Sequence, residues 1–223
     1  MEISKENLET TNYLVGFHSF VKDHNYPQYK GNLINEFSET LNETLNVFPP
    51  LGRETIIKSS NPNKQNLEIR VTSNTLLFQD TTSLEDVVNN ALKLLDAWKK
   101  HSPLVNLRLV GIVLDFKINI EPIKEKNELF LTKNFIKNKD WDKISYGDFT
   151  LRFNEILEGN DYNIQLTFIE NREKEYMLNG TIDFNQIAKD KEHSHKDEDI
   201  KRIIERGEMY FETEYINFIN NVK

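Results

Sequence analysis

The most regular alternating segment of the chain is Val105-Asn-Leu-Arg-Leu-Val-Gly-Ile-Val-Leu-Asp-Phe-Lys-Ile-Asn-Ile120, near its middle. From Val110 to Ile120 every second residue is apolar, and Asp115, Lys117 and Asn119 fall between the apolar positions. A period of two is typical of a β-strand with one face in the core. The sequence therefore predicts one long strand over 105–120, with its charged side chains on the wet face.

The same order of elements occurs on both sides of this strand: β-type runs followed by one long amphipathic helix. Before it we predict a strand at 13–20, a helix at 32–47 that Phe48-Pro49-Pro50 ends, and strands at 54–58, 66–72 and 75–79. A second helix follows, which either Thr82 or Ser83 can cap, with an apolar stripe from Leu84 to Trp98 and its end at His101-Ser102-Pro103. After the long strand we predict strands at 149–155, 162–168 and 176–184 and a final helix from Ile200 to Val222. This pattern predicts an α+β fold, in which antiparallel sheet is built from two faintly similar strands-then-helix halves and helices cover one face.

The same pattern suggests the domain organisation. Residues 1–11 are polar and are expected to be a flexible N-terminus, and 12–223 are expected to form a single α+β domain with pseudo-halves 12–103 and 104–223. No Gly/Ser-rich linker divides the halves.

Composition excludes several classes of protein. The chain has 223 residues, no cysteine and a net charge of −8, from 36 acidic and 28 basic residues. A disulfide framework, a thiolate zinc site and a cysteine nucleophile are therefore excluded. No apolar run approaches the roughly 20 residues that a membrane span requires, so we expect a cytoplasmic protein without a membrane partner.

The order of pieces resembles a sporadically distributed family of uncharacterised bacterial proteins. The residues that carry the resemblance are Phe48-Pro49-Pro50, the pair of strands around Asn66–Phe78, Ser83–Trp98 leading into Val105–Phe116, the Leu-Asn-Gly-Thr-Ile-Asp183 strand, and Tyr210-Phe211. This resemblance implies a fold but no activity. The patchy distribution of the family suggests a bacterial defence or toxin-neutralising setting.

One candidate for enzymatic chemistry is Asp115-Phe116-Lys117. In metal-dependent nucleases an acid-x-Lys pair lies on one strand face, where the carboxylate binds Mg²⁺ and the lysine orients the attacking water. The site requires a second acid from a neighbouring element, and Asp80 and Asp96 are the nearest upstream acids. The alternative interpretation is a solvated pair on an exposed sheet face. Magnesium is expected only if the nuclease interpretation holds; otherwise we expect no cofactor.

A second candidate is His193-Ser-His195, which lies in a charged segment before the last helix. Two imidazoles beside carboxylates are a candidate transition-metal site, but a third ligand is not evident and a hydrated loop explains the same residues. No Gly-x-Gly-x-x-Gly, Gly-Lys-Ser/Thr or Gly-x-Ser-x-Gly motif occurs.

The surface that favours recognition is the wet face of the late strands. Because this face is broad and polar, we predict a non-enzymatic protein-binding or assembly subunit that contacts another protein, or a second copy of itself, through a sheet face or edge. The predicted partner-binding residues are Arg152, Asn154, Asn163, Gln165, Thr167, Met177 and Asn179. A nucleic-acid-binding accessory remains an alternative, because lysines cluster around Trp141 between Lys124 and Lys143.

Overall fold

The computed structural model describes residues 3–51, 54–121, 148–171 and 173–221. Its strands, in chain order, are β1 (Leu8–Ser19), β2 (Leu45–Leu51), β3 (Glu54–Ser59), β4 (Glu68–Val71), β5 (Thr75–Asp80), β6 (Leu107–Asn119), β7 (Asp148–Leu157), β8 (Asn160–Glu170) and β9 (Met177–Ile187). Its helices are α1 (Tyr26–Leu41), α2 (Leu84–His101), α3 (Asp197–Tyr210) and α4 (Ile216–Asn221), with a π-helical turn, Phe211–Tyr215, between α3 and α4. The α+β class predicted from the sequence is confirmed.

The strands form one nine-stranded antiparallel sheet in the order β2-β3-β4-β5-β1-β6-β9-β8-β7. The chain has two compact units: Met1–Thr11, Val113–Phe184 and Glu205–Lys223 make up the first, and Asn12–Ile112 and Asn185–Ile204 the second. Because β1, β6 and β9 each contribute residues to both units, the units interleave along the chain. The boundaries of these two units therefore differ from those of the predicted pseudo-halves, 12–103 and 104–223, which are consecutive in sequence.

The first unit has its core between its strands and the last helices. Phe116 of β6 packs against Phe211 and Tyr215, with ring centroids 5.4 and 5.0 Å apart. Phe168 of β8 stacks on Tyr215 at 5.7 Å. The apolar positions that alternate along β6, β8 and β9 are buried, as their period of two predicts.

The N-terminal residues are part of this unit, which corrects one prediction. Residues 8–11, assigned to a flexible N-terminus, lie in β1. The side chain of Ile3 is buried, and its backbone N–H and carbonyl both bond to the Asn220 side-chain amide at 2.8 Å. A buried apolar side chain and a reciprocal pair of hydrogen bonds hold this segment on the last helix.

In the second unit the first helix differs from the prediction at both ends. Helix α1 begins at Tyr26 and ends at Leu41, whereas the apolar period predicted 32–47. Asn42 ends the helix because its backbone is left-handed, with φ 51°, and the Ser38 hydroxyl donates to the Glu43 carbonyl at 2.6 Å. Leu45, predicted to be helical, therefore lies in β2.

Helix α2 follows the sequence closely. The Ser83 hydroxyl caps its first turn by accepting from the Asp86 N–H at 3.1 Å, and the helix ends at His101 before Pro103. Its buried residues are Val87, Ala91, Leu94, Leu95, Ala97 and Trp98. Within the described ranges, no helix combines the length and apolar character that a membrane crossing requires.

Candidate protein-binding face

The outer hairpin of the first unit brings the predicted polar residues into register. Its two-residue turn, Glu158-Gly159, has positive φ at both positions, which suits the twist of a tight hairpin. Arg152 then lies opposite Gln165, and Asn154 lies opposite Asn163. The Arg152 Nε donates to Gln165 Oε1 at 2.6 Å, which fixes both long side chains across the strands.

Strand β9 continues the same pattern. Met177, Asn179 and Thr181 are half-buried and alternate with the fully buried Leu178, Gly180 and Ile182. The Asn171 amide donates to Asn179 Oδ1 at 3.4 Å. All seven predicted partner-binding residues thus occupy exposed or half-buried positions of the alternating pattern in β7, β8 and β9. We call these seven residues, together with Ile156 and Ile169, the polar face.

The two isoleucines of this face were missed by the sequence analysis. Ile156 follows Arg152 and Asn154 at the same spacing of two and is 74% exposed, and Ile169 follows Thr167 and is 42% exposed. The signal was present, because continuing the alternation by one step in each strand places both on the wet side. In the register of the hairpin Ile156 lies beside the turn and Ile169 at the opposite end, so the two isoleucines flank the polar side chains between them.

The acid-x-Lys pair lies on half-buried positions of β6. The Thr181 hydroxyl donates to Asp115 Oδ1 at 2.7 Å, so one carboxylate oxygen bonds within the sheet. In the described part of the chain no three His, Asp or Glu side chains converge as a metal site would require. The nuclease interpretation of Asp115 and Lys117 therefore stays a prediction.

The two loop histidines have separate partners. His193 Nδ1 lies 2.8 Å from Asp190 Oδ1, whereas His195 Nε2 lies 3.0 Å from the Gln186 carbonyl. Burial lowers the pKa of His195, although the hydrogen bond to Gln186 acts in the opposite direction. The contact of the His195 ring with the Gln186 carbonyl connects the loop to β9. The interpretation of His193 and His195 as a metal site stays a prediction.

The predicted nucleic-acid segment, Lys124–Lys143, lies outside the described residues. Comparison with known proteins adds no assignment, since neither a family model nor a curated protein sequence matches this chain.

Proposed function

We propose that this protein is a protein-binding subunit and that its polar face receives the partner. The observation that carries the proposal is the position of Ile156 and Ile169, both exposed on a face whose polar side chains already bond to one another. Arg152 and Gln165 already share one hydrogen bond, so covering them leaves fewer polar groups without a partner, and the remaining guanidinium donors are available to the partner protein. The two isoleucines flank this ladder at its opposite ends and offer single apolar contacts within a largely polar interface.

The size of the face indicates the kind of contact. The wet positions of β8 run from Asp161 to Ile169, a rise of eight residues or about 27 Å at about 3.4 Å each. The three strands of the face, β9, β8 and β7, span about 10 Å at roughly 4.8 Å apart. The resulting plane of roughly 270 Å² is about a third of the roughly 800 Å² that each partner buries in a standard interface. We therefore expect a transient complex.

The setting we propose is the bacterial cytoplasm, in a defence or toxin-neutralising system. What supports it is the resemblance of the sequence to a sporadically distributed bacterial family and the absence of cysteine.

The test compares two substitutions of the same chemistry. Ile156→Asp places a charge in the polar face, and the control Leu104→Asp changes another exposed side chain, 53% exposed and in the second unit. We expect a protein recovered with the wild-type chain by affinity purification to be retained by the control and depleted at least about tenfold with Ile156→Asp. A photo-crosslinking residue at position 154 should capture the same protein. Equal recovery with both variants would contradict the proposal, whereas crosslinking between copies of this chain would identify the partner as a second copy.

A further inference from the structure

A separate pocket lies in the second unit, where the chain leaves β1 and enters α1. Its volume is about 600 Å³, within the range of small-molecule sites. One wall is formed by residues 22–30 and the other by the turn between β4 and β5, residues 72–75. The pocket is remote in sequence from every residue of the polar face.

Buried hydrogen bonds hold the walls of this pocket in place. The Asp23 carboxylate accepts from the Ser102 hydroxyl at 2.5 Å, the Tyr29 hydroxyl at 3.0 Å and the Asn25 N–H at 2.9 Å. The Asp23 N–H donates to the Ser73 carbonyl at 2.8 Å, which ties one wall to the other. Burial alone raises the pKa of Asp23, but the hydrogen bonds from Ser102, Asn25 and Tyr29 outweigh it and hold the pKa below its usual range. The hydrogen bonds therefore hold the pocket wall in a fixed conformation around a charged carboxylate, whose two oxygens both accept hydrogen bonds from the protein.

A second anchor fixes the apolar side of the pocket. The Tyr26 hydroxyl donates to Thr55 Oγ1 at 3.0 Å and also lies 3.3 Å from the Val71 carbonyl oxygen. The Tyr26 ring packs against the ring of Tyr29 in a T-shaped arrangement. Tyr26 is 6% exposed, so the apolar surface on this side of the pocket is mainly that of the exposed Pro27, with Tyr26 supporting it from beneath. Such a surface suits the flat body of a small organic molecule.

The charge at the pocket is opposite to that of the whole chain. The net charge is −8, yet Lys22, Lys30 and His24 line this pocket and Asp23 is the one carboxylate among its lining residues. Some lysines elsewhere in the described ranges pair with acids, as Lys99 does with Asp197 at 2.7 Å, whereas others, such as Lys93 and Lys191, lie exposed without such a pair. Within the described ranges neither Lys22 nor Lys30 forms an ion pair. The two ammonium groups exceed the single Asp23 carboxylate by one positive charge, and this local excess favours an anion at the pocket.

We propose that this pocket binds a small phosphorylated molecule, with its phosphate between Lys22 and Lys30 and its flat body against Pro27. Phosphate fits because lysine binds it as a point charge, and the positive end of the α1 dipole lies at the same place. The hydroxyl of Ser73 adds a neutral donor on the opposite wall.

The experiment uses isothermal titration calorimetry on the full chain, with adenosine monophosphate, inorganic phosphate and adenosine as separate titrants. We expect saturable binding of adenosine monophosphate below about 1 mM, weaker binding of phosphate, and none of adenosine over the same range, because the phosphate supplies the charged contacts. The double substitution Lys22→Gln with Lys30→Gln should weaken binding at least about tenfold, since two charge-assisted contacts are lost. The matched control, Lys93→Gln with Lys191→Gln, makes the same charge change at two exposed positions of the same unit and should stay within about twofold.

A second readout locates the site. The backbone amide resonances of Ser73 and Asn74 should shift on addition of adenosine monophosphate to the wild-type chain. Absence of binding by both phosphate-bearing probes, equal loss in both double variants, or shifts confined to other residues would each overturn the proposal. Failure of the protein-binding test leaves these outcomes unchanged, because the two sites share no residue.

Discussion

Gly180 is a position where one methyl group is expected to disrupt the first unit. It lies in β9, and the ring of Phe116 on β6 covers its backbone. A Cβ at this position would lie 2.2 Å from Phe116 Cζ and 2.3 Å from Cε2. Normal carbon–carbon contact begins near 3.5 Å, so the ring is about 1.3 Å too close.

The ring has little room to withdraw. Phe116 is 1% exposed, and Phe211 and Tyr215 pack on it at 5.4 and 5.0 Å. Overpacking a core costs about 1–3 kcal/mol, and displacing a buried phenylalanine from its contacts approaches the roughly 3–5 kcal/mol of its removal. We therefore expect Gly180→Ala to lower the free energy of unfolding by about 3 kcal/mol, which corresponds to a Tm lowered by roughly 6–12 °C in a chain of this size.

Urea unfolding followed by circular dichroism measures this effect. The control is Gly31→Ala in α1, where an added Cβ meets nothing within 4 Å and should stabilise the helix by about 0.5–1 kcal/mol. The double variant Phe116→Leu with Gly180→Ala should recover part of the loss, with a coupling energy of at least about 1 kcal/mol. A cost below about 1 kcal/mol for Gly180→Ala, or additive effects in the double variant, would refute the packing argument.

Three further predictions concern other parts of the chain. Burial alone raises the pKa of Glu68, but hydrogen bonds from Lys58 and Arg70 outweigh it and hold the pKa below 4.5. The charged carboxylate therefore stabilises the fold above that pH. This contribution is lost as the pH falls through the folded-state pKa. Glu68→Gln should therefore cost about 1–2 kcal/mol at pH 7 and progressively less towards pH 3, in urea titrations at each pH; a cost that does not change with pH would contradict this account. Ser83→Ala removes the cap of α2 and should lower the unfolding free energy by about 1 kcal/mol, while Ser83→Asp, which restores an acceptor, should not. If the protein only binds a partner, wild type and Asp115→Ala should give the same DNA and RNA cleavage in Mg²⁺, and activity that disappears with Asp115→Ala would establish the nuclease alternative.

Much of the fold was predictable because strand and helix periods are local. The alternation after Val110 placed Phe116 in the core and Asp115 outside. The two candidate caps, Thr82 and Ser83, placed the start of α2 within about one residue, and the structure selects Ser83. The same alternation placed Arg152, Gln165 and the other five predicted partner-binding residues on the outer side of their strands. The two exposed isoleucines were missed only because the pattern was not followed to the ends of the strands.

Two local predictions were wrong because backbone conformation overrode periodicity. The spacing of Leu33, Phe37, Leu41 and Leu45 continued past Asn42, but the left-handed conformation of Asn42 ended the helix there. The last helix was predicted as one helix from Ile200 to Val222, but it contains a π-helical turn at Phe211–Tyr215. This turn accommodates an extra residue and so rotates the buried side of the residues that follow, among which Ile219 is buried.

The amino-acid pattern by itself determined which residues of each element face the core, because that choice depends on neighbours two, three or four positions away. Tertiary structure alone decided which distant residues meet. Asp23 and Ser102 are 79 residues apart, and Gly180 depends on a ring 64 positions earlier. Contacts of this kind follow from the order of strands and the packing of helices, and no local period encodes either, so the pocket beside α1 became visible only once the chain was folded.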